Sequence, residues 1–466
     1  MDFRKTTVAV LAEDVAARRI SARELVQIAL DRIEAVDPQV NAFVAVDGDA
    51  ALADAAAIDE RIAGGEQVGP LAGIPIGVKD LEDARGFRTT HGSAVYADSP
   101  PATADSPLVD RLRAAGCVVV GKTNTPESGH KGDTTNPLFG STRNPWNLER
   151  SAGGSSGGSA AAIAAGMVPL CTGSDGGGSI RIPSAVCGLS GMKASLGRVP
   201  SGGAEPPGWA DLSTKGPMAR TIRDVTLALD AVVGPDATDL RSLPMPDTSW
   251  TRSLNELHPP RKVGWAPTLG YQKVDREVAA VCQAAVDRLG ELGSEVVEVD
   301  PVFDVDPVRP WLLLAMTGDE RSLRHLRGTS DWERLDAGHT AAIDAFGSRT
   351  SGADVLVALD ECHIANLRLV ELFHQVSLLL TPTVGGQSGL AGGNGTIDGE
   401  ETPAWVGFTY PFNMTRSPAG TVCVGFTSDG MPVGLQVVGP QHADVAVLRA
   451  LALLEDALAL DPIAPI

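Results

Sequence analysis

The chain has 466 residues, enough to bury a large core, with 38 basic and 58 acidic side chains and a formal net charge of −20. No lysine/arginine stripe capable of neutralising several phosphates interrupts that acidity, so nucleic acid is excluded as an expected partner. Glycine (52) and proline (32) together stay below the roughly one quarter of a chain at which disorder becomes the better reading, which leaves a folded, loop-rich protein.

Near the N-terminus Glu13 and Asp14 interrupt the only apolar stretch, and no secretory h-region precedes a cleavage site. Ser21-x-x-Glu24 has the form of a capping box, with Val26, Ala29, Leu30 and Ile33 following at helical spacing, so an amphipathic helix starts there. Short apolar runs at 74–78, 117–120, 168–171 and 378–380, each bounded by Gly or Pro, alternate with alanine-rich helical stretches. That pattern predicts an α/β fold whose sheet is buried on both faces. Lys79 ends the first run, inside Gly73-Ile-Pro-Ile-Gly-Val-Lys-Asp80, where desolvation would lower a lysine pKa and make the amine a base. Taken alone, a lysine ending a strand is more often a solvated tip.

Three motifs in the next stretch mislead. Gly116-Cys-Val-Val-Val-Gly121-Lys122-Thr123 satisfies the phosphate-loop pattern, but its spacer is β-branched strand material and Pro126 follows almost at once, where a helix should continue. Ser128-x-x-Lys131 and Ser190-x-x-Lys193 match SxxK without the partner elements of that family. The serines at 155 and 156 both fit GxSxG, which needs a strand immediately before it, and 147–152 is not read as one. None of the eight histidines has a two-ligand helical spacing, and the six cysteines (117, 171, 187, 282, 362, 423) form no CxxC pair. No metal, no cofactor and no disulfide framework are expected.

The segment 151–181 carries the chemistry. Ser151-Ala-Gly-Gly-Ser155-Ser156-Gly-Gly-Ser159 is followed, after an alanine-rich run too short to span a bilayer, by Gly173-Ser-Asp175-Gly176-Gly177-Gly178-Ser179-Ile-Arg181. Nucleophilic acyl transfer needs a nucleophile, a base, a site for negative oxygen and a proton for the leaving group. Ser179 can be the nucleophile, and the amides of Gly176, Gly177, Gly178 and Ser179 can face an oxyanion because no side chain obstructs them. A helix starting just beyond would add its N-terminal dipole.

Further on, 200–209, 234–250 and 384–400 read as loops within one domain spanning 1–466. Trp209, Trp405 and Phe408, large aromatics near Gly/Pro-rich loops, are candidate pocket walls. The stretch 300–375 carries no assignable role. Runs at 421–425 and 433–438 flank Ser428-Asp429-Gly430 as a hairpin, and Val447, Leu451, Leu454 and Leu458 end the chain in a helical pattern.

Together GIPIGVKD at 73–80, GGSSGGS at 153–159 and DGGGSIR, with its serine 24 positions beyond Ser155, resemble the amidase signature family from about residue 8 to the last helix. The resemblance implies a single α/β/α domain with a central mixed sheet. It implies a triad of Lys79, Ser155 and Ser179, in which Ser179 attacks and Ser155 passes its proton to neutral Lys79. It implies a cis Gly154–Ser155 bond, a clamping role for Asp175 and Arg181 around the nucleophile loop, and a supporting hydrogen bond from Ser156. One local departure is glycine at 176, where family members vary.

Within the family, His130-Lys-Gly-Asp133 stands where the glutaminase subunit of glutamyl-tRNA amidotransferase has a serine pair, and tyrosine occurs only three times, against that subunit's tyrosine-rich segment. The segment 129–140 resembles stand-alone general and aryl-amide hydrolases, whose substrates include anilides, cyclic amides and carbamates. A cytoplasmic serine amidohydrolase acting on a small-molecule amide is expected, without membrane partner and with a second copy of the chain as the one protein partner considered. A noncatalytic scaffold on the same fold is the alternative of another class, and the intact Lys-Ser-Ser set argues against it.

Overall fold

In the computed structural model, which describes residues 1–204 and 206–466, strands from along the chain join one mixed sheet. They are β1 (Phe43–Val46), β2 (Pro75–Lys79), β3 (Val118–Thr123), β4 (Leu170–Asp175), β5 (Ser190–Lys193), β6 (Thr214–Ala219), β7 (Lys262–Trp265), β8 (Glu295–Glu298), β9 (Leu378–Pro382), β10 (Ala419–Phe426) and β11 (Pro432–Val438). Their order across the sheet is β1-β3-β2-β4-β6-β5-β10-β11-β9-β7-β8. The pairs β2–β3, β2–β4, β9–β7 and β7–β8 are parallel and the others antiparallel. Every residue of β2, β3, β9 and β11 is buried, so both faces are covered, as their unbroken apolar runs require.

The sequence signals translate closely. The Ser21/Glu24 capping box forms and opens helix Ala22–Val40, the final helix spans Asp444–Leu458, and β10 with β11 makes the expected hairpin. The phosphate-loop pattern lies on β3. There Lys122 is buried 3.1 Å from Asp80 and donates to the Glu82 carbonyl at 2.7 Å, so no phosphate cradle forms. The loop expected at 200–209 is irregular up to Gly208 at the described positions, and Glu205 within it lies outside the described residues.

Two stretches differ from expectation. Residues Asn147–Ser151 do form a strand, paired with Arg143–Asn144, but in a two-stranded ribbon apart from the large sheet. A single polar ribbon strand lacks the apolar alternation that betrays a buried one. The stretch 300–375, without an assignable role in sequence, contains helices Val308–Leu323, Ala337–Ala342 and Gly352–Phe373. These pack around Ala315, Met316, Leu323, Ile343 and Cys362 as a separate small core, with Trp209 and Trp311 at its margin.

The register places the chemistry. Ile76 pairs with Leu170 and Gly77 with Cys171, so β2 and β4 run side by side and end at the same sheet edge, carrying Lys79 and Asp175. In open α/β sheets that carboxyl edge is where ligands bind.

Candidate active site

Lys79 is fully buried at the end of β2, its Nζ 2.8 Å from Ser155 Oγ and 2.9 Å from Ser174 Oγ. Burial pushes its pKa down to about 7, and the charges of Glu82 and Asp175 only partly resist. A lysine at its ordinary value would be almost wholly charged at neutrality, whereas this one is divided between ammonium and free amine.

Ser155 is presented by a loop that its surroundings mould. The Gly154–Ser155 bond is cis. Thr134 Oγ1 donates to the Gly153 carbonyl at 2.8 Å and accepts from the Gly157 amide at 3.1 Å. The backbone of Lys131 and Asp133 presses so close that a Cβ on Gly154 would lie 2.8 Å from Lys131 O, which requires glycine there. Helix Gly157–Ala164 follows at once. Ser156 Oγ bridges both backbone groups of Ser174, accepting from its N–H at 3.3 Å and donating to its carbonyl at 3.4 Å. It thereby ties the serine loop to β4.

The glycine loop that carries Ser179 is built around an ion pair. Asp175 and Arg181 are both fully buried, with Nη2 to Oδ1 at 2.8 Å and Nε to Oδ2 at 2.9 Å. Burial opposes the Asp175 charge, but Arg181 and the Asn413 amide, 2.9 Å away, hold the carboxyl below the usual carboxylate range. Arg181 also donates to Gln436 Oε1, Asn413 Oδ1 and the Thr409 carbonyl. This saturated network leaves the pair no free donor or acceptor for chemistry and makes it a clamp.

Asp175 alters the expected oxyanion donors. The Gly178 amide donates to Asp175 Oδ1 at 2.8 Å, so it is spent within the loop. Among the described residues the amides of Gly176, Gly177 and Ser179 have no protein acceptor. Helix Arg181–Val186 starts just beyond them.

Exposure differs among the three expected residues. Lys79 is 0 % and Ser155 2 % exposed, whereas Ser179 is 9 % exposed and its hydroxyl has no hydrogen-bond partner among the described residues. The two serine segments meet through the Ser156 amide, which donates to the Ser179 carbonyl at 3.2 Å.

Of the aromatics expected as pocket walls, Trp209 packs against the glycine loop, where a Cβ on Gly176 would lie 2.6 Å from its Cε3. Phe408 is fully buried in a core cluster with Leu379, Phe412 and Val438, and is a core residue rather than a wall. Trp405 is 3 % exposed and packs flat against Gly395. Sequence reasoning missed Ser174, Thr409, Asn413 and Trp311. Ser174 precedes Asp175 in the quoted motif and could have been found as a third hydroxyl on the lysine. Trp311 has no sequence signal, and reaches the site because helix Val308–Leu323 packs over the loop.

Among the described residues no three His, Cys, Asp or Glu side chains converge as a metal site, and no helix is long and apolar enough to cross a membrane. The profile of the family described as Amidase matches residues 24–448. An acylamidase of Rhodococcus erythropolis is 38 % identical over 460 residues, covering 96 % of this chain and 94 % of the relative. A glutamyl-tRNA(Gln) amidotransferase subunit of Salinispora arenicola is 37 % identical over 495 residues, covering 98 % of each. The crystal structure of a bacterial aryl acylamidase of the amidase signature enzymes superposes with a TM-score of 0.91 at 31 % identity, covering 99 % of both chains.

Proposed function

The chain belongs to the amidase family, the amidase signature enzymes, and is an amide-cleaving hydrolase; from that premise we propose that Lys79, Ser155 and Ser179 carry the reaction on small, preferentially aryl, amides. The observation that carries this reading is the 2.8 Å contact between Ser155 and a buried lysine whose pKa lies near 7.

Ser179, the accessible member, attacks the carbonyl carbon. Its proton passes to Ser155 as Ser155 gives its own to the free amine of Lys79. Hydroxyl-to-hydroxyl contact is made when substrate closes the site, since catalytic hydrogen bonds are commonly loose in the empty enzyme. The amides of Gly176, Gly177 and Ser179 receive the oxyanion, and the clamped Asp175–Arg181 pair keeps them in place without reacting. Collapse expels the amine, which takes the proton back along the same path, and water then releases the acyl group from Ser179.

The preference for aryl amides rests on the indoles of Trp209 and Trp311 beside the glycine loop, flat apolar surfaces suited to a planar ring. It is supported by the likeness to an acylamidase and an aryl acylamidase. The test is a purified-enzyme screen over anilides, aliphatic amides, carbamates and glutamine, with fluorophosphonate labelling located by mass spectrometry. Ser179 labelled and anilides cleaved fastest is the expected result. Glutamine hydrolysed faster than anilides would point instead to a glutaminase, and an unlabelled, inactive protein to a scaffold.

A further inference from the structure

The carbonyls of the glycine loop are held by side chains from elsewhere. Trp311 Nε1–H donates to the Gly176 carbonyl at 2.9 Å, and Thr409 Oγ1–H to the Gly177 carbonyl at 2.5 Å. A peptide unit is planar and, when trans, points its N–H opposite to its C=O. Whatever holds the Gly176 carbonyl therefore also aims the Gly177 N–H, an amide with no protein acceptor among the described residues.

Trp311 is itself locked. Its ring stacks on Tyr410 with centroids 5.1 Å apart and makes a T-shaped contact with Trp209 at 5.9 Å. Trp209 Nε1 donates to Asp319 Oδ1 at 2.8 Å, and Asp319 Oδ2 lies 3.0 Å from His339 Nε2. The other ring nitrogen of His339 lies 3.2 Å from Glu127 Oε1. A buried polar chain of this length costs stability unless every member is satisfied, and its effect here is to fix two indoles over one peptide.

We propose that Trp311 is a positioning residue for amide hydrolysis, turning the Gly177 N–H onto the developing oxyanion by holding the carbonyl of the same peptide unit. The inference rests on Ser179 being the nucleophile and adds the element that aims its oxyanion site. Thr409 holds the following peptide, whose own N–H is already taken by Asp175, and so fixes the far side of Gly177.

Trp311→Phe keeps an aromatic ring and removes the only donor that indole has. Removing an oxyanion donor outright costs about 10²–10³ in kcat, so misaiming one should cost about 10- to 100-fold in kcat, with KM changed less than about threefold. The second readout is the rate ratio between an anilide and the matching thioanilide, because sulfur accepts N–H bonds poorly. That ratio should shrink in Trp311→Phe, as the variant no longer exploits oxygen. A purely structural role would not move it.

An unchanged kcat, a loss confined to KM, or an undiminished oxygen-to-sulfur ratio would each overturn the proposal. Should Trp311→Phe fail to fold, Thr409→Val, which loses the hydroxyl on the neighbouring peptide, is read by the same three criteria. Ser179→Ala is assayed in parallel. Activity surviving in it removes the nucleophile assignment, whereas a dead Ser179→Ala beside a normal Trp311→Phe removes only this inference.

Discussion

Lys79 Nζ lies 2.8 Å from Ser155 Oγ, and its other hydrogen-bond partner, Ser174 Oγ at 2.9 Å, is also a hydroxyl. Among the described residues no carboxylate hydrogen-bonds the amine, so burial is the dominant influence on its protonation and lowers its pKa to about 7.

The rate should therefore rise with pH through about 7 and level off on the alkaline side, because only the free amine accepts a proton. Stability follows the same direction. The folded pKa is depressed below the unfolded value of 10.5, so the unfolded chain holds more protons between about 7 and 10.5, and stability attributable to this group grows as pH rises across that window. Lys79→Met should lose activity yet melt at a higher temperature than wild type at pH 7. Lys79→Arg should be nearly dead, since guanidinium keeps its proton. A pH–rate profile and melting curves check these four expectations; substantial activity in the Arg variant would remove Lys79 as the base.

Ser179→Ala should abolish turnover and fluorophosphonate labelling, while Ser155→Ala and Lys79→Ala retain a residue of activity from the oxyanion amides. Groups acting as a unit typically lose roughly 10⁴- to 10⁶-fold in kcat. Because the proposed steps use only side chains and amides, dialysis against a chelator should leave the wild-type rate unchanged. Single-turnover kinetics on an anilide provide the measurement.

Gly178→Ala should be the most damaging substitution in the loop. Gly178 has φ +128°, which an L side chain rarely adopts, and a Cβ there would overlap Thr409 Oγ1. Gly177→Ala meets the Trp311 ring instead, at a backbone conformation open to alanine, so it should cost kcat more than stability. Melting temperatures and kcat for the two variants, side by side, decide the ordering.

His339 should make stability fall in alkali. Burial opposes its charge, but the hydrogen bonds and charges of Asp319 and Glu127 more than offset that and raise its pKa to about 9. Stacked on it at 4.4 Å, His130 is driven down to about 3 by burial and by the charge of His339, and stays neutral. The folded pKa exceeds the unfolded value of 6.5, so the stabilisation is complete below about 6.5 and is lost as pH climbs through about 9. His339→Gln should melt lower than wild type at pH 6, with the gap closing by pH 10. A gap that stays constant across that range would contradict the assignment.

Much of the site is legible in the amino-acid sequence. The segments holding Lys79, Ser155 and Ser179 are contiguous motifs whose glycines and apolar flanks state their local conformation, and β2, β3, β4, β9 and the β10–β11 hairpin follow from unbroken apolar runs. Asn147–Ser151 carries no such signal because a ribbon strand outside the core needs no hydrophobic pattern. Phe408 looks like a loop aromatic because glycine and proline flank it, while burial depends on what packs around it.

The glycine loop at 173–179, the lysine and the α/β class are each encoded by neighbours within a few residues of one another, and so stand in the linear chain. Folding added what no such neighbourhood holds: Asp175 consumes the Gly178 amide, Ser174 is the lysine's second partner, and Trp311, from a stretch without motif or periodicity, grips the Gly176 carbonyl 135 positions away. The last of these contacts joins segments distant in the chain. It arises when helices close over the carboxyl edge of a sheet, a matter of packing that no local pattern records.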